Sequence, residues 1–173
     1  MKTTLVMAAM LMAAMNVGTV YAQSASPEVV DTLNNLISTS IDAQKGYRQA
    51  AQVVVLKELK GRFKKESFKR AKFAAALKTR AWEEGKIYAN VDDLPVYSYN
   101  RWVDVKSAVQ SQDDRAVLDS LKAGERGALK AYHDALAQLL PKHIEVLLKN
   151  QKDEIQSAYD RLNREFQQPR EKK

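Results

Sequence analysis

Residues 26–55 read SPEVVDTLNNLISTSIDAQKGYRQAAQVVV. Ser26 is a good helix cap, and Pro27 suits the first helical position, where its missing N–H would find no intrahelical partner anyway. Val30, Leu33, Ile37, Ile41, Tyr47, Ala51 and Val54 follow, mostly at steps of three and four. That spacing gathers them into one stripe along a helix. The triplet Val53-Val54-Val55 predicts a break, because three β-branched residues in succession lose side-chain freedom against the preceding turn. The stretch is thus a long amphipathic helix that must hide one face against partners.

The rest of the chain supplies those partners. A second helix is predicted over 56–84, with Leu56, Leu59, Phe63, Phe73, Leu77 and Ala81 on its inner line and Gly85 as its stop. Asn90, Asp92, Asp93 and Pro95 make 86–97 a long connection. A short extra helix near 99–109 carries Trp102, Val105 and Val109 on one side, and Asp113 closes the cap of a third helix over 114–139. The third inner line is Val117, Leu121, Gly124, Ala128, Ala131, Ala135 and Leu139. Pro141 opens a fourth helix, lined by Ile144, Leu148, Gln151, Ile155, Ala158, Leu162 and Phe166. Two hairpins joined by a long crossover are the all-α, ferritin-like arrangement of a four-helix bundle. A weak internal repeat agrees: Leu33, Leu36, Tyr47 and Ala50 are spaced like Leu118, Leu121, Tyr132 and Ala135.

The ends are organised differently. Lys2, an uncharged apolar run over 5–15 and small residues at Val20 and Ala22 read as a secretory signal peptide, cleaved after Ala22. The run is shorter than the roughly 20 residues a membrane span needs. The expected organisation is signal peptide 1–22, spacer 23–28, bundle 29–166 and basic tail 167–173, with a periplasmic or secreted destination. No later segment is apolar enough to span a membrane. The chain has no cysteine, and its five methionines all lie at or before Met15. The mature part therefore carries no disulfide and no oxidisable sulfur.

Several short pieces carry a family resemblance: Leu33-Asn34-Asn35-Leu36-Ile37 with Asp42 and Gly46-Tyr47; Phe73 with Leu77; Arg101-Trp102 with Lys106; Gly124-Glu125 with Ala131-Tyr132; and Asp160-Arg161-Leu162. In this order and spacing, over about 29–166, the chain resembles an uncharacterised bacterial family of ferritin-like four-helix bundles of unknown function. The resemblance implies the bundle fold and a link to stress proteins, with no established activity. Lys45 and Tyr159 stand where such proteins often place an acid and a histidine, so two potential metal ligands are gone.

Di-iron sites in such bundles need a Glu from each of two helices and a Glu-x-x-His step from each of the other two. Glu66-Ser67-Phe68-Lys69 and Glu154-Ile155-Gln156-Ser157 both lack the histidine. An intact iron centre is not expected, and no cofactor is; a divalent metal on an altered carboxylate site is the alternative. Gln44, Glu66, Arg70, Glu125, Gln151 and Tyr159 fall on or beside the inner lines and are expected to form a polar network in the core. Within it, Glu66 and Arg70 are read as an inward-facing i,i+4 ion pair. His133 and His143 flank the last turn and, with Asp134 and Glu145, are weak metal candidates.

The second helix is strongly basic. Lys57, Lys64, Lys65, Lys69 and Lys72 lead a run opposed only by Glu58 and Glu66 over 57–80, in a chain of net charge +7. Such a face suits an anionic envelope surface. Export argues against nucleic acid. No Ser-His-Asp set, cysteine nucleophile or phosphate-binding glycine loop is present. The expectation is a non-enzymatic exported bundle that binds a protein partner or an anionic surface and can form a homo-oligomer.

Overall fold

The computed structural model describes residues 27–84 and 113–167. They form four helices: α1 (Pro27–Val53), α2 (Lys57–Glu83), α3 (Asp114–Leu136) and α4 (Lys142–Gln167). Among the described residues there is no strand, and no helix is long and apolar enough to cross a membrane. The expected segment 1–22, the short helix near 99–109, Trp102 and all of the expected 167–173 tail but Gln167, which closes the fourth helix, lie outside the described residues. The last two residues of the expected 23–28 spacer are already helical, because proline's fixed φ is preorganised for the first turn.

Each helix boundary has a local cause. The valine triplet does end α1, leaving Val54 buried and Val55 exposed at the bend. Leu56 begins α2 in an extended conformation with no side-chain cap. Asp113 caps α3 by accepting from the Arg115 N–H at 2.8 Å. The third helix stops at Leu136, three positions before the expected Leu139, which is 99% exposed. Its last turn tightens as Gln138 N–H turns to the Ala135 carbonyl, and Pro141 disfavours helix just upstream. On the third inner line Tyr132 is buried and Ala131 only half-buried.

Cross-helix bonds fix the topology. Thr32 meets Gln138, Tyr47 meets Glu125 and the Val55 N–H meets Asp114, so α1 and α3 run antiparallel. Arg62 meets Glu165 and Lys69 meets Glu154, so α2 and α4 also run antiparallel. With α1–α2 and α3–α4 as antiparallel hairpins, α2 and α3 are parallel, and the connection between them joins opposite ends of the bundle. Two apolar clusters fill the interior. One gathers Tyr47, Leu59, Phe63, Val117, Leu121 and Leu162; the other gathers Leu33, Leu36, Leu77, Tyr132, Ile144 and Leu148.

The internal repeat extends further than the third helix. All eight residues of the two repeated quartets are buried. Lys57 opens α2 and Lys142, 85 positions on, opens α4. The same offset pairs Leu59 with Ile144, Phe63 with Leu148 and Leu77 with Leu162, all buried. The bundle is therefore two similar hairpins related by an approximate two-fold axis.

Candidate functional site

A polar layer crosses the middle of the helices. Arg70 of α2 and Glu125 of α3 are 1% and 0% exposed. Arg70 Nη2 donates to Glu125 Oε1 at 2.6 Å, and the Tyr47 hydroxyl donates to the same oxygen at 2.6 Å. The guanidinium also lies over the rings of Tyr47 and Phe73, at 5.9 and 5.2 Å from their centroids. The approximate two-fold places a neutral version alongside. Tyr132, the counterpart of Tyr47, bonds Gln151 Oε1 at 2.7 Å and lies 3.4 Å from the hydroxyl of Ser40, the counterpart of Glu125. Gln151 itself stands opposite Glu66 in the repeat, and Ile155 opposite Arg70.

The electrostatics follow from burial. Burial pushes the Glu125 carboxyl above its ordinary value, against the pull of Arg70 and the Tyr47 hydroxyl. Burial alone would weaken the Arg70 charge, but Glu125 and Tyr47 outweigh it, so the guanidinium is held more firmly protonated than usual. The Tyr47 phenol is raised well above its normal value by burial and by the charge of Glu125. Burial pushes Tyr132 up to about 12. Both phenols are thus hydrogen-bond donors rather than bases.

The expected Glu66–Arg70 pair is not made. Glu66 sits one turn earlier on α2, and its Oε1 takes Arg161 of α4 at 2.8 Å, while Arg70 reaches across the bundle to α3. A residue on α2 has two neighbouring helices and a diagonal one, and i,i+4 spacing along its own helix cannot choose among them. Gln44 is half-buried; its carbonyl accepts from Ser67, and no described hydrogen bond joins its side chain to the layer. Tyr159 is likewise half-buried and unconnected to it. Arg70, Glu125 and Gln151 belong to the layer as expected. Ser40, Tyr47 and Tyr132 were missed as polar members. Extending the 85-residue offset from Tyr47 and Tyr132 to Glu125 would have pointed to Ser40.

Four buried polar atoms around this layer have no hydrogen-bond partner among the described residues: Arg70 Nε and Nη1, Glu125 Oε2 and Glu66 Oε2. A cavity of about 200 Å³ opens beside it between α2 and α4. Tyr47, Leu59, Phe63, Ala158 and Leu162 line it, with Arg62, Lys65, Glu66, Arg161 and Glu165.

On the outer face of α2, Lys57, Lys64 and Lys72 are exposed together with Phe68 and Trp82, which are 63% and 68% exposed. Lys72 Nζ stands 4.8 Å from the centre of the Phe68 ring. Lys69 is turned away from this face: it is half-buried and bonds Glu154 at 2.7 Å. Among the described residues, His133, His143, Asp134 and Glu145 do not gather into a group that could hold a metal ion. His143 bonds Glu84 at 3.2 Å, Glu145 is taken by Lys142 and Lys149, and Asp134 by Lys130.

A family model described as a domain of unknown function, DUF2383, matches residues 28–138, from the start of α1 to the end of α3. No curated protein and no solved structure matches the chain.

Proposed function

The chain belongs to the DUF2383 family of unknown function, and from that premise we propose that it is a non-enzymatic, exported, ferritin-like bundle that docks on an anionic envelope surface through the outer face of α2. One observation carries the reading: Lys57, Lys64 and Lys72 share an exposed face with Phe68 and Trp82. Cations draw a protein to anionic headgroups, and exposed aromatic rings insert at the interface. A solvated helix face has no need of two exposed aromatic side chains. The signal-like 1–22 segment supports an envelope location for that surface, and the family resemblance supports a link to stress.

Sedimentation with vesicles tests the proposal. The full mature chain should bind phosphatidylglycerol vesicles and leave phosphatidylcholine vesicles in the supernatant. Replacing Lys57, Lys64 and Lys72 by Glu should abolish binding. Phe68→Ser with Trp82→Ser should weaken it at low salt. Equal binding to neutral vesicles, or an unaffected triple variant, would overturn the proposal.

The unpartnered oxygens of Glu66 and Glu125 favour a second reading, an atypical metal site. The repeat groups Ser40, Glu125, Glu66 and Gln151 at the four ligand-bearing helices, so only half of the set is carboxylate, and Arg70 already supplies positive charge there. That donor set fits a dinuclear iron centre poorly. Metal analysis of the purified chain decides: stoichiometric iron, manganese or zinc lost in Glu66→Ala would establish the second reading.

A further inference from the structure

The cavity between α2 and α4 owes its existence to one small residue. By the 85-residue offset, Ala158 on α4 is the counterpart of Phe73 on α2. Phe73 packs against the apolar cluster that holds Tyr132, Leu148 and Leu77. At the equivalent place beside Tyr47, Phe63 and Leu162 stands a methyl group, and about 200 Å³ remains open. An apolar cavity of about 150 Å³ accepts a benzene ring, so this one has room for a ring or a short alkyl chain.

The walls and rim differ in character. Tyr47, Phe63 and Leu162 offer apolar surface, and Arg62, Lys65 and Arg161 bring three positive charges. Arg62 and Arg161 are matched by Glu165 and Glu66, while Lys65 is exposed and has no carboxylate within ion-pair distance among the described residues. The surplus charge is positive, next to an apolar hole.

We propose that this cavity binds a medium-chain carboxylate, its chain against Tyr47, Phe63 and Leu162 and its head at Lys65. The site takes a dissolved monomer and does not depend on docking of α2 to a membrane.

Calorimetric titration of octanoate into the mature chain, below its micelle concentration and without vesicles, tests it. Octanoate should bind one to one and at least about tenfold more tightly than octylammonium or acetate. Ala158→Phe, which copies the filled half of the repeat, should retain the helical circular dichroism spectrum and weaken octanoate by about tenfold or more. Lys65→Glu changes only an exposed side chain and should reverse the preference towards octylammonium. The proposal fails if octanoate shows no saturable binding, if octylammonium binds as well as octanoate to the wild type, or if Lys65→Glu leaves the preference unchanged. Loss of vesicle binding in the Lys57, Lys64 and Lys72 variant, with octanoate binding intact, would separate this site from the docking face.

Discussion

At Arg70 the chain puts a permanent charge in the middle of a bundle, where desolvation is costly. Glu125 offsets that cost through a 2.6 Å charge-assisted bond, with Tyr47 as a second donor to the same oxygen. Removing either partner leaves an uncompensated buried charge. Arg70→Met or Glu125→Leu alone should therefore lower unfolding stability by about 3–5 kcal/mol. The double variant should cost far less, or be stabilising by about 1–4 kcal/mol, because both desolvation terms disappear together. Chemical unfolding of the three variants measures the coupling; additive losses would show that the two charges act independently. Tyr132 makes a separate prediction. Its folded pKa is raised from 10.0 to about 12, so the unfolded chain gives up this proton first as pH rises. The stability it contributes is complete below about pH 10 and is lost between about 10 and 12. The urea midpoint should fall across that window, and Tyr132→Phe should flatten the fall.

Helix α2 is the element on which the functional proposals meet. Its inner side carries Phe63, Arg70 and Leu77, its seam with α4 carries Arg62, Glu66 and Lys69, and its outer face is basic and aromatic. Three chemistries on one helix leave little room for helix-stabilising choices. Gly61 sits exposed in its second turn, and a Cβ placed there would meet nothing within 4 Å. Gly61→Ala should stabilise the fold by about 0.4–1 kcal/mol, since alanine loses less backbone entropy on becoming helical. Thermal unfolding would show the gain, and a loss instead would refute the open space around Gly61. The α2–α4 seam is bridged by ion pairs, whereas α1 and α3 meet through buried leucines and tyrosines. The cavity opens on that seam.

For the whole molecule, the approximate two-fold explains why one end of the polar layer is charged and the other neutral. Ser40, Gln151 and Ile155 stand where Glu125, Glu66 and Arg70 stand in the related positions. The two hairpins share a fold and differ at the residues that could carry chemistry. Export is the molecule-scale prediction that needs no structure. Small residues at Val20 and Ala22 after an apolar run predict a mature N-terminus at Gln23. Mass spectrometry of the protein recovered from the cell envelope should find it, and a species retaining Met1 would refute cleavage.

The existence of the four described helices, the bend at the valine triplet and the inner lines of α1 and α4 were legible in the sequence, because each depends on residues within a few turns of one another. Val30, Leu33 and Ile37 on α1, and Ile144, Leu148 and Ile155 on α4, are buried as their spacing requires. The family resemblance likewise rests on local pieces, of which all but Asp160-Arg161-Leu162 fall within the matched residues 28–138. That Arg70 and Gln151 would be inside was also readable, as they interrupt apolar lines. Which residues they meet was not. Arg70 chooses Glu125 on the diagonal helix over Glu66 on its own, and Glu66 turns to Arg161 instead. Helical periodicity fixes the side from which a residue projects, but partners on other helices are set by the axial register and spacing of the bundle. The cavity beside Ala158 is of the same kind: a small residue leaves a void only where the side chains of the two other helices that line it, α1 and α2, do not fill the space.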